Sequence, residues 1–319
     1  MPIFPKPNFP FDYDVNAEIA RLRQHKQDRH IPARTPDTLL VATWNLANLG
    51  AQQRRDQDRS LIAEIFSWFD LVAVQECREN FSDLFDLQFK LGPDYKVLMS
   101  DASGNDERLS FLYDARKLSP LEEIGEIAFP PSDYKNIKLP GVSQQFEGFD
   151  RTPYLVSFEV GKTSLVFVNV HLFFGDNKPE SLGRRSLETF AVARWASLRQ
   201  KSRFSFTREL VALGDFNMPK SEPGDPIYNA LTKLGLELPE HSTQIASAIA
   251  ADANYDQIAF LPGTTKDCFS GQKGVFDYDA VIFPDLWMNG TNAAKFKAYL
   301  RYYISDHRPM WVQLNVNPV

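Results

Sequence analysis

From Thr38 onward, strand-like apolar runs alternate with segments of helical period, which predicts a mixed α/β or α+β fold. Three observations carry the prediction. Leu39 to Trp44, Leu71 to Gln75, Leu165 to Val170 and Leu210 to Gly214 are apolar at most positions, as strands buried on both faces must be. Each run ends in a residue able to bind metal or phosphate: Asn45, Glu76, His171 and Asp215-Phe216-Asn217. A last strand, Met310 to Leu314, is preceded rather than followed by such residues, in Ser305-Asp306-His307-Arg308-Pro309.

The elements follow in order. Residues 1–36 read as an extension: a proline-containing arm, then a helix over about Val15 to Gln27 with Ile19 and Leu22 on one face. Residues 37–319 read as one catalytic domain, because no composition break or linker divides them. Further helices are expected over about Arg55 to Trp68, Phe81 to Lys90 and Leu182 to Lys201. The last carries a stripe of Leu187, Phe190, Ala191, Ala193 and Leu198 suited to cover a sheet. The loops Pro130 to Gly148, Ser221 to Pro226 and Pro262 to Gly274 are candidates for substrate contact. Asp277 and Asp279 alternate in Val275 to Phe283 and are expected on the solvent face of a strand, with a second metal site as the alternative. His25, His30 and His241 lie in no motif and are expected at the surface.

An isolated Asp-His before a strand is usually a surface turn, so the four polar strand ends decide how Asp306-His307 is read. If the last strand runs antiparallel to its neighbour, its start meets the ends of the others at one sheet edge. All five segments then converge on one pocket.

These residues carry a family resemblance. TWN at Asn45, VQE at Glu76, NVH at His171, GDFN at Asp215 to Asn217 and SDH at Asp306-His307 stand in the order of the endonuclease/exonuclease/phosphatase superfamily. Asn254 to Ile258 and Glu107 resemble its deoxyribonuclease I branch, where a Tyr-Asp-X-Ile strand and a glutamate partner the histidines. Arg78 and Arg151 resemble that branch's phosphate-contacting arginines. The resemblance spans about residues 37 to 317. It implies a four-layer α/β/β/α sandwich: two mixed, mostly antiparallel sheets packed face to face, with helices outside.

The chemistry the residues permit is phosphoester hydrolysis. A phosphodiester resists hydroxide, so catalysis needs charge neutralisation, an aligned water and a protonated leaving oxygen. Glu76 and Asp306, aided by Asn45, offer hard oxygen ligands for Mg2+, with Mn2+ as substitute. Asp215 and Asn217, two apart on an extended segment, can hold a water and a phosphate oxygen. His307, oriented by Asp256, and His171, paired with Glu107, form two histidine–carboxylate couples; which donates and which accepts is open at this stage.

Hydrolysis of DNA by an endonuclease is the leading reading, with a nucleic acid as partner. A phosphomonoesterase or phospholipase on an inositol phosphate or sphingolipid head group is the alternative, and a binding module without catalysis a third. A net charge of −6 argues against a protein that coats nucleic acid nonspecifically. Arg54, Arg55, Arg59, Arg184 and Arg185 are either a local phosphate groove or solvated helix faces. Met1 to Tyr13 lacks the charged start and apolar run of a secretion signal, and no stretch has the length of a membrane span. With only Cys77 and Cys268, a reducing cytoplasm is expected, and Cys77 reads as a buried thiol.

Overall fold

A computed structural model describes residues 3–241, 243–261, 264–287 and 293–316. The strands in chain order are β1 (Thr38–Leu49), β2 (Leu71–Cys77), β3 (Tyr95–Met99), β4 (Arg108–Asp114), β5 (Ser119–Glu126) and β6 (Tyr154–Val160). They continue with β7 (Thr163–His171), β8 (Leu210–Asp215), β9 (Asp256–Phe260), β10 (Phe269–Val275) and β11 (Met310–Asn315). The helices are α1 (Val15–Asp28), α2 (Asp56–Phe66), α3 (Ser82–Leu91), α4 (Pro179–Lys201), α5 (Pro226–Thr232), α6 (Thr264–Asp267), α7 (Pro284–Trp287) and α8 (Ala293–Tyr303).

The strands form two sheets, in the orders β10-β11-β1-β2-β4-β3 and β5-β6-β7-β8-β9. Only β1/β2 and β7/β8 pair in parallel, so both sheets are mixed and mostly antiparallel, as expected. Alternation along β1 shows why its run is apolar throughout. Leu39 and Val41 face the core between the sheets with Phe158, Phe167, Leu213 and Ile258. Leu40, Ala42 and Trp44 face the opposite way, onto Leu61, Phe66 and Tyr278. Val166, Val168 and Val170 of β7 likewise meet Val192, Ala193 and Ala196 of α4. Each such leucine, valine, isoleucine or phenylalanine side chain taken out of water contributes about 1.5–3 kcal/mol. The result is an α+β sandwich of helix, sheet, sheet and helix.

The N-terminal residues lie on the outer face of the first sheet. Phe11 packs edge-on to Phe283 and Tyr299, Leu22 of α1 is fully buried, and Tyr13 Oη donates to Asp58 at 2.9 Å. Helix α4 starts three residues before its expected position because Pro179 suits the first helical turn.

Three expectations need correction. The strand expected over Val275 to Phe283 stops at Val275, and Tyr278 to Ala280 form a 3-10 turn. Asp277 there accepts from Arg29 and contacts His25 Nε2 at 2.8 Å, so His25 is buried rather than at the surface. Asp279 accepts two bonds from Arg308. The expected loop Pro262 to Gly274 is largely α6 and β10, with residues 262–263 outside the described ones.

Register positions the functional residues. Parallel pairing of β1 with β2 sets Asn45 beside Gln75, and antiparallel pairing of β11 with β1 brings Ser305 to His307 back to the same edge. In the second sheet His171 pairs with Asp215 and Asp215 with Asp256, so three ionisable groups stand in a row across three strands.

Candidate active site

The strand ends meet at one edge of the sandwich, and Asp215 sits at their centre, fully buried. Its Oδ2 lies 3.7 Å from His171 Nε2 and 3.8 Å from His307 Nε2. Each imidazole is backed through Nδ1 by a second buried carboxylate: His171 by Glu107 at 2.9 Å, His307 by Asp256 at 2.7 Å. Asn45 Nδ2 bridges Glu76 Oε1 (2.9 Å) and Asp215 Oδ2 (3.1 Å). Glu76 Oε2 accepts the Asn48 N–H at 2.8 Å.

Local backbone geometry aims these groups. Glu76 has φ 61° and Asn217 φ 51°, left-handed conformations unusual outside glycine, and the β1 and β2 ladders shift register there. Such irregularity turns side chains out of the ladder and collects at functional sites. Gly214 has φ 139°, and a Cβ there would stand 2.1 Å from Val170 O, so only glycine lets β8 approach β7 closely enough to pair His171 with Asp215.

The charges reinforce one another. Burial opposes ionisation of Asp215, yet the imidazoles of His307 and His171 and the Asn217 N–H hold its carboxyl below the usual range. Burial likewise opposes a charged His307, but Asp256, Asp215 and Asp306 raise it well above the ordinary imidazole value. Glu107, though buried, is kept at about 2 by His171 and Arg151.

The remaining expected residues fall as follows. Asp306 carries a buried Oδ1 without a hydrogen-bond partner among the described residues, and burial raises its carboxyl above the ordinary range. The nearby charge of Glu76 raises it further. Asn217 Nδ2 donates to Leu172 O at 2.8 Å. Arg78 donates to Asn48 Oδ1 (2.7 Å) and lies 3.4 Å from Glu107 Oε1. Arg151 is buried and donates to His171 O (2.9 Å), Leu172 O (3.0 Å) and Asp150 (2.9 Å). Cys77 is buried against Ser110 Oγ, and burial pushes its thiol up to about 12.

A divalent cation fits this donor set at Glu76 and Asp306. Arg301 Nε stands 3.8 Å from Asp306 Oδ2, but the buried Oδ1 has no hydrogen-bond partner among the described residues and is costly unless a further cation compensates it, and hard oxygen donors are what Mg2+ takes. Asp215, Asp256 and His307 also cluster, with ligand atoms all within 4.8 Å of one another. There His307 Nδ1 is already bonded to Asp256, so that trio suits proton and charge transfer better than metal binding.

Several supporting residues carry no motif. Gln75 donates to Thr43 and, across the sheets, to Asn169 (2.6 Å), which donates to Ser110 O (2.9 Å). Ser305 Oγ donates to Asn45 O and accepts from His307 N. Arg54 and Arg185 are neither phosphate groove nor solvated face. Both are buried, Arg54 holding Ala47 O and Ile304 O, Arg185 holding Asn217 O.

Fold and site together define a two-sheet sandwich with paired histidine–carboxylate couples at one edge. No family model and no curated protein matches the chain. Solved structures do. An endonuclease/exonuclease/phosphatase family protein from Bacteroides thetaiotaomicron is similar with TM-score 0.57 and 19% identity, covering 89% of this chain and 100% of that one. Mannosyl-6-phosphatase from Bacteroides thetaiotaomicron VPI-5482 gives TM-score 0.56 and 18% identity over 86% of this chain and 99% of its own. D. rerio TDP2, in complex with a single-strand DNA product, gives 0.57 and 13% over 87% and 99%. At these identities the likeness is one of fold: the chain has the endonuclease/exonuclease/phosphatase fold.

Proposed function

We propose that the chain is a divalent-metal-dependent phosphoester hydrolase of the endonuclease/exonuclease/phosphatase superfamily, acting on DNA phosphodiester bonds as an endonuclease. One observation carries the reading: two imidazoles, each backed by its own buried carboxylate, converge on a single oxygen of Asp215. Hydrolysis of a phosphate ester needs such a set, with one anion to take a proton and cations to meet the charge that develops.

Asp215 orients the attacking water and takes its proton as the new phosphorus–oxygen bond forms. His307, held protonated by Asp256, faces the phosphoryl oxygens and compensates their charge. His171, oriented by Glu107, gives its Nε2 proton to the leaving oxygen as the old bond breaks. Glu76 and Asp306, with Asn45 beside them, would hold the metal, which supplies charge neutralisation at the phosphoryl group when bound. Mg2+ suits these ligands, with Mn2+ as substitute. Arg78 stands at the rim, where a flanking phosphate would pass.

A second reading, phosphomonoester hydrolysis, is favoured by the fate of the arginines. Arg54, Arg151 and Arg185 are committed to carbonyls of their own chain, which leaves fewer cations for a long polyanion. Among the described residues no helix is long and apolar enough to cross a membrane. The deciding experiment is a substrate panel of linear and circular DNA, RNA, sugar and inositol phosphates and sphingomyelin, with Mg2+, Mn2+, Ca2+ or chelator. Nicking of circular DNA with Mg2+ is expected. Turnover of phosphomonoesters alone replaces the first reading by the second.

A further inference from the structure

A cavity of about 430 Å3 takes one wall from the segment that follows His171. Its apolar walls are Phe146, Phe173 and Leu187, and Gln144, Glu147 and Arg184 stand around it. Phe173 lies two residues beyond His171. Buried Glu188 accepts the N–H of Phe173 (3.0 Å) and of Asp150 (3.1 Å), next to Arg151, so one carboxylate ties the cavity wall to both segments that carry the site. Arg184 spans the same junction, contacting Glu188 and Asp150 while its guanidinium lies 4.1 Å from the Phe173 ring centre.

Helix α4 is shaped for this cavity. Gly183 lies in its first turns, where glycine is less favourable than alanine. A Cβ there would meet Gln144 Oε1 at 2.4 Å. The glycine thus leaves room for the Gln144 side-chain amide, which belongs to a loop expected from sequence to contact substrate.

We infer that this cavity receives the base of a nucleotide flanking the scissile phosphate; the inference rests on the reading of the chain as a nuclease. Glu147 and Glu180 at the rim repel a phosphate, so the occupant is uncharged. Aromatic walls and a guanidinium plane favour a flat ring, and the Gln144 amide can pair with a base edge.

The test compares binding of 2′-deoxyadenosine 5′-monophosphate with 2-deoxyribose 5-phosphate by calorimetry, in the full chain and in Phe173→Ala and Gly183→Ala. About tenfold tighter binding of the nucleotide is expected, since stacking one base is worth about 1–3 kcal/mol. Either variant, checked for an intact fold by circular dichroism, should remove that advantage. Equal affinities for the two ligands in the unaltered chain overturn the inference, as does an advantage that survives both folded variants. Tighter binding of mannose 6-phosphate, lost in Phe173→Ala, also overturns it and makes the cavity a sugar site. Oligonucleotides cleaved with and without a base beside the cut separate the two levels. Cleavage indifferent to the missing base sinks the cavity's role and spares the nuclease. Base-dependent binding without any cleavage sinks the nuclease reading and leaves the base site.

Discussion

His171 and His307 approach the same Asp215 oxygen from different strands, their Nε2 atoms 3.7 and 3.8 Å from it. Two imidazoles therefore share one anion, and that anion helps to hold the proton on His307. Asp215→Asn removes the shared charge. Because Asp215 is one of the anions that raise His307, its titration midpoint should fall, as read by NMR of the imidazole. Activity should drop at least about 100-fold. An unmoved His307 midpoint would mean that Asp256 and Asp306 hold the proton without Asp215.

His307 and Asp256 act as one unit, so His307→Ala and Asp256→Asn should be strongly non-additive: the double variant loses about as much kcat as the worse single one. Losses that sum in free energy would make Asp256 a structural residue. The pair also fixes a pH sign. His307 is raised, so its proton is present at neutral pH and lost only on the alkaline side. The alkaline limb of kcat should move to lower pH in Asp256→Asn.

Metal binding should read out apart from activity. Saturating Mg2+ at about 100 times its Kd adds about 2.7 kcal/mol to stability, visible as a rise in Tm. Glu76→Gln and Asp306→Asn should each remove most of that rise. Because burial raises Asp306 above the ordinary carboxyl range, affinity should fall as pH drops and its proton competes. A Tm rise that survives in both variants would move the metal to another donor set.

The legible part of the site followed one physical rule. Asn45, Glu76, His171 and Asp215 each interrupt a run that is apolar because both its faces are buried, and a polar group there is costly without a task. Glu107 was harder to read: it sits in a charged stretch of sequence, and only the pairing of Cys77 with Arg108 brings it under His171. Arg54, Arg185 and Glu188 were not legible. Their partners are backbone groups, which have no signature in a sequence, so buried arginines looked like surface ones. The 3-10 turn at Tyr278 misled for a related reason: Val275 to Phe283 alternates like a strand, but Asp277 is drawn inward by His25 and Arg29 from a helix far away in the chain.

Glu188 gives a stability prediction. Burial raises its carboxyl to about 7, against the N–H groups of Phe173 and Asp150 that favour the charged form. A raised carboxyl contributes its full stability below about pH 4.5 and loses it as pH climbs through about 7. The stability of the chain should therefore fall by up to about 3 kcal/mol over that window on this account. Glu188→Gln should flatten the slope in urea titrations at matched pH values. A variant with an unchanged slope would put the proton elsewhere.

Arg78 and Arg151 both resemble phosphate-contacting arginines in sequence, but their surroundings separate them. Arg78 contacts Asn48 and Glu107 at the rim, whereas Arg151 is buried under the backbone of His171 and Leu172. On the proposed reading, Arg78→Ala raises KM on long DNA and lowers the salt slope by about 0.9, the counterion released by one phosphate contact. A small chromogenic phosphodiester, with no flanking phosphate, should be little affected. Arg151→Ala instead leaves three carbonyl and carboxylate partners and Glu107 without their cation. It should cost roughly 3 kcal/mol of stability and impair long and short substrates alike, because the loss acts through His171. If both variants lower the salt slope, Arg151 reaches the substrate after all. If neither changes it, Arg78 does not grip a phosphate, and the case for a long polyanionic substrate weakens in favour of the monoester.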